Sequence, residues 1–282
     1  MPTIPPHKPG VTYNGLHSTT NPTAGQVTAD LATTKQHFER ARTYYPQYGG
    51  GAVDVGKIAR DANLNLLLGL YLFDNDDWTS GDYQNFVKPA VARGNIEGIL
   101  VGNEDPQMVD NGIIEKYLRQ ARSDFPQIAV GTSQRSDFWL ADARAEQLLP
   151  LVDFIGVNIY PAWDWQRADG NNQPNGVTPE AGFNSFRDTY GRIKSKYPGR
   201  QIVVTETGWP TTFGPVGSQQ FQIGIDNARD YLQRVIGWAE AEQVVLYIHN
   251  MFDDQHGVDT SSPFNYHFGL IDHADKPKGI LF

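Results

Sequence analysis

The chain of 282 residues contains no cysteine, which excludes disulfide bonds and thiolate metal sites. It has no apolar run approaching the roughly 18 residues of a membrane-spanning helix, and residues 1–9 lack the apolar core of a signal peptide. The formal net charge of −9 disfavours nucleic acids and anionic membranes as partners. No glycine-rich phosphate loop follows the late strands, which argues against a metabolic barrel enzyme for phosphorylated substrates.

The sequence alternates predicted strands with predicted helices over short links, which is typical of a parallel sheet. Its length is close to that of a single (β/α)8 TIM barrel, and no Gly/Ser-rich or Pro-rich linker divides it. We therefore predict an α/β fold, with a flexible N-terminal arm over residues 1–9 and one catalytic domain over residues 10–282. The predicted strands cover about residues 10–17, 37–45, 64–73, 96–104, 128–133, 151–160, 202–206 and 243–252.

Two of these strands end in a glutamate. Residues 202–210 read IVVTETGWP, so a β-branched run is followed by Glu206 and then by the strand-stopping Gly208 and Pro210. Residues 96–104 read IEGILVGNE and end in Asn103 and Glu104. Burying a carboxylate is unfavourable without a partner, and the carboxyl ends of barrel strands usually carry the chemistry. Glu206 alone fits a structural role equally well, paired with backbone amides or with an arginine.

The second glutamate favours a catalytic interpretation. Cleavage of a glycosidic bond needs two carboxyl groups that flank the bond, one protonated and one ionised. Two strand-end glutamates that face the same barrel mouth supply such a pair. The sequence therefore predicts that Glu104 and Glu206 act together on a glycoside.

A family resemblance supports this prediction. Residues 205–210, TETGWP, resemble the signature of glycoside hydrolase family 17, the β-1,3-glucanases and related glucanosyltransferases. The pair of Asn103 and Glu104 is similar to the acid/base motif of the wider clan, and residues 42–44, 153–161 and 268–270 also fit the family. The resemblance extends from about residue 10 to the C-terminus. The chain departs from the family after the last strand, where a further Glu and a Lys are common and residues 252–256 read FDDQH.

The resemblance implies a retaining glycosidase that acts on β-1,3-glucan through a covalent glycosyl-enzyme. Glu206 is then the nucleophile and Glu104 the acid/base, with Asn103 on the sugar 2-hydroxyl. The activity is an endo-β-1,3-glucanase, a β-1,3-glucanosyltransferase or both, and the sequence does not decide between water and a sugar as acceptor. The alternative is a non-catalytic barrel that binds glucan.

Other residues are candidates for binding. Tyr13, Arg42 and Tyr160 stand at strand ends, where they can hold Glu206 ionised, although an ordinary rim ion pair is the simpler interpretation for Arg42. Aromatic residues in a barrel more often belong to the core than to a sugar platform. Trp163 and Trp165 lie in a polar loop with no core to join. The remaining candidates for the cleft are Trp78, Trp209 and, as its floor, Phe252.

We expect an uncharged β-1,3-glucan oligosaccharide or polysaccharide as the partner, and no cofactor, metal or nucleic acid. The acidic residues 74–77 are expected to form a turn, because they lack the glycine and closing glutamate of a calcium loop. His249 is expected to be a satisfied core residue. We expect a monomer that is secreted or periplasmic, a location inferred from the polymeric substrate and from no residue of the chain.

Overall fold

The computed structural model describes residues 1–72, 81–104, 111–161, 177–212, 222–254 and 266–282. Within these residues, eight parallel strands form a closed barrel in which each strand pairs with its neighbours in the sequence, and β1 pairs with β8. The (β/α)8 fold predicted from the alternating pattern is therefore confirmed. The strands are β1 Gly10–Tyr13, β2 Arg40–Thr43, β3 Asn65–Leu70, β4 Ile96–Asn103, β5 Ala129–Arg135, β6 Phe154–Asn158, β7 Gln201–Thr207 and β8 Val245–Ile248.

Helices cover the outside of the barrel. They are α1 Ala24–His37, α2 Val55–Asp61, α3 Lys88–Arg93, α4 Asn111–Asp124, α5 Ser136–Ala141, α6 Ala145–Leu148, α7 Pro179–Lys196 and α8 Ile225–Ala241. A π-helical turn, Tyr83–Val87, precedes α3, and a two-stranded ribbon of Gln47–Tyr48 and Val53–Asp54 precedes α2. In the part of the chain that the structure describes, no helix combines the length and the apolar character needed to cross a bilayer.

Local hydrogen bonds explain where some of these helices begin and end. Asp54 caps α2, because its carboxylate accepts a hydrogen bond of 2.8 Å from the backbone N–H of Lys57. After β5 the chain forms the two short helices α5 and α6, and not one continuous helix. Between them, the Asp142 carboxylate accepts from the backbone N–H of Arg144 at 2.9 Å. This local turn competes with the helical pattern and interrupts it.

The apolar core has two parts. The larger part lies between the strands and the surrounding helices. The smaller part fills the barrel with one layer of side chains, because alternate residues of each strand point inward. Its members from the strands are Leu67, Leu100, Ala129, Phe154, Val203, Val245 and Tyr247.

The N-terminal segment closes the amino end of the barrel. Ile4 is fully buried in the interior layer, and Gln201 holds its backbone with two hydrogen bonds of 3.0 and 2.5 Å. His7 Nε2 lies 3.8 Å from the Glu97 carboxylate at the same end. The flexible arm predicted for residues 1–9 therefore differs from the structure at Ile4. An apolar side chain that covers the barrel interior is removed from water, and this burial is favourable.

Candidate active site

A β-bulge precedes each of the two strand-end glutamates. In β4, Leu100 pairs with Gly131 and Asn103 with Ser133, so β4 has one residue more than β5 over this stretch. In β7, Val204 and Glu206 pair with the consecutive residues Val157 and Asn158 of β6. A bulge breaks the alternation of side chains and redirects the residues that follow it. The bulges bring Glu104 and Glu206 into one hydrogen-bonded network at the carboxyl end of the barrel.

Glu206 sits in a buried site with several hydrogen-bond donors. Arg42 Nη1 and the Tyr44 hydroxyl donate to its Oε1, the latter at 3.0 Å, and the Tyr160 hydroxyl donates to Oε2 at 2.7 Å. His249 Nδ1 lies 4.0 Å from Oε2. Burial alone raises the pKa of Glu206, but the Arg42 charge and these hydrogen bonds outweigh it and lower the pKa below its usual value. Glu206 is therefore held as a carboxylate.

The pKa of Glu104 is shifted in the opposite direction to that of Glu206. Its Oε1 accepts a hydrogen bond of 2.9 Å from Asn158 Nδ2, and no full ion pair neutralises it among the described residues. Burial raises the pKa of Glu104 to about 7, with a further contribution from the negative charge of Glu206. Glu104 therefore keeps its proton in conditions where Glu206 has lost its own.

Two asparagines connect the glutamates. Asn103 Oδ1 accepts from Arg42 Nη2 at 2.7 Å and from Asn158 Nδ2 at 3.2 Å. The hydroxyls of Ser133 and Thr205 donate to Asn158 Oδ1 at 3.0 and 2.7 Å, so the Asn158 amide nitrogen faces Glu104. A polar network that is satisfied in this way fixes the side chains at its centre.

Gly208 allows β7 and the chain after β8 to approach closely. A Cβ atom at this position would lie 2.3 Å from the backbone oxygen of His249. A side chain at residue 208 would therefore displace His249, which lies beside Glu206. This explains the glycine of the TETGWP motif by packing.

The structure brings Arg42, Asn103 and Tyr160 together with both glutamates. Tyr13 lies elsewhere, since it is fully buried and its hydroxyl donates to Asp30 of α1 at 2.9 Å. The alternation of β1 explains this correction. Thr12 points into the barrel mouth, where its hydroxyl lies 3.1 Å from His249 Nδ1, and Tyr13 points outward to the helix layer.

Two other predicted contacts with substrate also belong to the core. Trp209 is 1% exposed, packs on Tyr231 of α8, and donates from Nε1 to the backbone oxygen of Gln222 at 2.8 Å. Phe252 is 4% exposed and stacks on His17 with ring centroids 4.5 Å apart. Neither ring is available to a sugar. Trp78, Trp163, Trp165 and the acidic segment 74–77 lie outside the described residues.

Sequence reasoning missed three members of the network: Tyr44, Asn158 and His249. Tyr44 is two residues after Arg42, and in a strand this spacing places both on one face. His249 was expected to be a core residue, but it is partly exposed and lies 3.3 Å from the Tyr44 hydroxyl. Burial lowers the pKa of His249, against the opposing effect of the Glu206 charge.

One group of described side chains lies close enough to hold a metal ion, namely Asp253, His267 and His273. The Asp253 carboxylate is already paired, because Lys278 Nζ donates to it at 2.6 Å and the Gly269 N–H at 2.8 Å. The ammonium group neutralises the charge that would attract a cation. Lys278 and Asp253 therefore form an ion pair after β8, although the two residues lie far apart in the sequence.

A closed (β/α)8 barrel with two carboxyl groups of opposite proton affinity at its carboxyl end has the arrangement that glycosidic bond cleavage needs. The comparison with known families agrees with this class. The chain belongs to the family of BtgE/BtgC glycoside hydrolase domains, whose model matches residues 10–269. The glycoside hydrolase resemblance predicted from the sequence is therefore confirmed.

Individual relatives are distant. Over 191 residues, the chain is 25% identical to a probable beta-glucosidase btgE of Aspergillus clavatus, a match that covers 65% of this chain and 32% of the relative. The chain thus spans about a third of that protein's length. In structure it is similar to a glycoside hydrolase family 17 beta-1,3-glucanosyltransferase from Rhizomucor miehei, with a TM-score of 0.77, 20% identity, and 97% and 96% of the two chains covered. It is also similar to an endo-laminarinase from Formosa, with a TM-score of 0.79, 15% identity, and coverage of 99% and 87%.

Proposed function

We propose that the chain is a retaining glycosidase that acts on β-1,3-glucan through a covalent glycosyl-enzyme, with residues 10–282 as its catalytic domain. It works as an endo-β-1,3-glucanase, a β-1,3-glucanosyltransferase or both. The observation that carries this proposal is the placement of Glu206 and Glu104 in one hydrogen-bonded network, in which Arg42 pairs with Glu206 and the Asn158 amide donates to Glu104. These surroundings shift the pKa values of the two carboxyl groups in opposite directions. The glucan-active proteins of similar fold support the choice of substrate.

In the first step, the ionised Glu206 carboxylate attacks the anomeric carbon of the bound sugar. The bond between this carbon and the glycosidic oxygen breaks, and the leaving oxygen takes the proton from Glu104. Arg42, Tyr44 and Tyr160 hold the nucleophile in place and keep it charged. The product of this step is a glycosyl ester of Glu206 and a free sugar hydroxyl.

In the second step, Glu104 is ionised and removes a proton from water or from the hydroxyl of a second sugar. The oxygen bonds to the anomeric carbon, and the bond to Glu206 breaks. Glu104 ends protonated and Glu206 ends ionised, so the enzyme returns to its starting state. Asn103 is placed beside Arg42, where it can bind the 2-hydroxyl of the sugar in both steps.

Because β-1,3-glucans are polymers outside cells, this function goes with a secreted or periplasmic protein. A barrel that only binds glucan is the alternative. A protein that only binds glucan does not need two carboxyl groups whose pKa values are shifted in opposite directions, and this favours the enzyme.

Azide rescue tests the roles of the two glutamates. In the Glu206→Gly variant, we expect turnover of an aryl β-laminaribioside with a good leaving group to fall roughly 10⁴-fold or more. Azide then occupies the vacated space and attacks from the same face, which gives the α-glycosyl azide. The Glu206→Gln variant is the matched control, because its side chain fills the space and azide should not rescue it.

In the Glu104→Ala variant, the same substrate still forms the intermediate, because its leaving group needs no proton. Azide attacks that intermediate and gives the β-glycosyl azide. Opposite anomers from the two variants would reverse the assigned roles. A wild-type protein that binds laminari-oligosaccharides without cleaving them would establish the binding protein instead.

A further inference from the structure

The hydroxyl groups of Tyr44 and Thr12 both lie beside the same ring nitrogen of His249. The Tyr44 hydroxyl is 3.0 Å from Glu206 Oε1 and 3.3 Å from His249 Nδ1. The Thr12 hydroxyl is 3.1 Å from Asn250 Oδ1 and 3.1 Å from the same nitrogen. A hydroxyl has a single proton to donate and lone pairs with which to accept. Each hydroxyl therefore donates to only one of its two neighbours.

The orientation of the Asn250 amide decides where the Thr12 proton goes. The side-chain atom beside the backbone N–H of Met251, at 2.8 Å, is Oδ1, since a backbone N–H can only donate. The amide nitrogen is turned the other way and donates to Asp254 Oδ2 at 3.4 Å. The Asn250 oxygen thus accepts the Thr12 proton. Thr12 Oγ1 then faces His249 Nδ1 with a lone pair.

The ionised nucleophile decides where the Tyr44 proton goes. Glu206 pairs with Arg42, and a carboxylate has only acceptor oxygens. Tyr44 therefore donates to Glu206 and, like Thr12, faces His249 Nδ1 with a lone pair. A bare ring nitrogen is repelled by two lone pairs, whereas a ring N–H is attracted by both. Burial lowers the pKa of His249, which favours a ring with one proton, and the two hydroxyls place this proton on Nδ1.

We propose that Thr12 is a positioning residue, which fixes His249 in the tautomer with the proton on Nδ1 and thereby directs the Tyr44 proton to Glu206. A bare Nδ1 would compete with Glu206 for that proton, and the nucleophile would lose a hydrogen bond. Thr12, which is fully buried, thus acts on the nucleophile through His249 and Tyr44. The effect on catalysis rests on the proposed role of Glu206 as the nucleophile.

Two variants of Thr12 test this proposal without changing any charge around His249. The titratable and charged side chains that face the imidazole are Glu206 of β7, Arg42 of β2, Tyr44 just after β2, Tyr160 after β6 and Asp254 after β8. Thr12→Val removes the hydroxyl and keeps the shape of the side chain. Thr12→Ser is the matched control, because it keeps the hydroxyl. A change that Thr12→Val alone produces therefore reports the hydrogen bonds and not a lost charge.

Nitrogen NMR of the His249 ring and titration of the Glu206 carboxyl carbon measure the effect directly. In the wild type and in Thr12→Ser, we expect a protonated Nδ1 and a bare Nε2. In Thr12→Val, Nδ1 loses an acceptor, and the proton should move to Nε2, where free histidine prefers to carry it. Tyr44 then donates to Nδ1, and the pKa of Glu206 should rise by about one pH unit.

Kinetics show whether the same hydrogen bond matters in turnover. With laminari-oligosaccharides, the acidic limb of the kcat/KM profile should move upward in Thr12→Val only, which is a loss of about tenfold at the acidic end. A proton on Nε2 in the wild type overturns the inference, and so does an equal Glu206 pKa in the two variants. The NMR measurements need no turnover. A wild type that cleaves no glucan therefore counts against the proposed function and leaves the tautomer to be decided by NMR.

Two variants of His249 decide the question if Thr12→Val does not fold. In His249→Asn, the amide nitrogen takes the place of Nδ1, and in His249→Gln it takes the place of Nε2. Both side chains are uncharged, so they differ mainly in where they offer an N–H group. We expect the pKa of Glu206 to be about one pH unit lower in His249→Asn than in His249→Gln. Equal pKa values in the two variants would overturn the inference.

Discussion

Glu104 has both a left-handed backbone conformation and a raised pKa. Its φ of +56° is in the left-handed region, where a residue with a side chain is less stable by about 1–2 kcal/mol. The backbone N–H of Glu104 is held by the Ser133 oxygen at 2.8 Å. This conformation aims the carboxyl group at Asn158. We infer that the conformation is retained because of the position that it gives the acid/base.

The opposite pKa shifts of Glu104 and Glu206 predict a bell-shaped pH dependence of kcat/KM. Glu206 must be ionised and its pKa is below the usual 4.5, so activity should decline only as the pH falls below about 4.5. Glu104 must be protonated for the first step, and its pKa is raised to about 7. Activity should therefore decline as the pH rises through 7. The measurement is the pH profile of kcat/KM on laminari-oligosaccharides.

Titration of the Glu104 carboxyl carbon by NMR provides the control for this prediction. In the Glu206→Gln variant the neighbouring negative charge is absent, so the pKa of Glu104 should fall toward its usual range but stay above it because of burial. No change in this pKa would show that the two carboxyl groups do not interact.

Tyr160, which is partly buried just after β6, and Tyr13, which is fully buried at the end of β1, each donate a hydrogen bond to a carboxylate. Tyr160→Phe removes a hydrogen bond of 2.7 Å to Glu206, so the pKa of Glu206 should rise and the acidic limb of the pH profile should move upward. Tyr13→Phe removes only the bond to Asp30 and should leave that limb unchanged. Equal profiles for both variants would exclude Tyr160 as a partner of the nucleophile.

The sequence predicts single residues well where a motif defines their position. Glu104, Glu206 and Asn103 follow apolar strands directly, and Arg42 and Tyr160 stand in matching motifs. The prediction that Tyr13 lies beside Glu206 was wrong. The alternation of a four-residue strand fits two registers, and only packing against α1 selects one of them. A one-residue shift exchanges the inward and outward faces.

Among the secondary-structure elements, β4 and β7 differ most from the simple alternating pattern. Each contains a bulge next to its glutamate. A bulge depends on how two strands pair and not on the residues of one strand alone, so the sequence of one strand does not reveal it. The break between α5 and α6 has a local cause in Asp142, which makes it easier to recognise.

The N-terminal segment provides a prediction about stability. Ile4→Ala removes buried apolar atoms from the barrel interior, and such a change costs about 2–5 kcal/mol in a rigid core. We expect a loss of about 2 kcal/mol, at the lower end, because the short segment can detach before the barrel unfolds. The measurement is the free energy of unfolding in urea.

Thr3→Ala is the control, since Thr3 is exposed beside the same site, and it should change stability little. If Ile4→Ala is as stable as this control, the segment does not contribute to the fold in solution. That result would restore the flexible arm expected from the sequence.

For the whole molecule, the alternation of apolar strands and amphipathic helices was sufficient to predict the barrel. A parallel barrel buries both faces of each strand, and the resulting continuous apolar runs are easy to recognise. The closure of its amino end was not predictable in this way. A single isoleucine among prolines and polar residues has no periodicity, and only the assembled barrel provides the space that it fills.

Both ends of the chain are fastened to the barrel, and this determines its mechanical response. Ile4 is inserted beneath the strands, and Phe282 stacks on His37 of α1 with ring centroids 3.5 Å apart. A force applied between residues 1 and 282 must first detach these anchors. The nine N-terminal residues then lengthen the tether by at most about 30 Å. Only after that does the load reach β1, which is held by β2 on one side and β8 on the other.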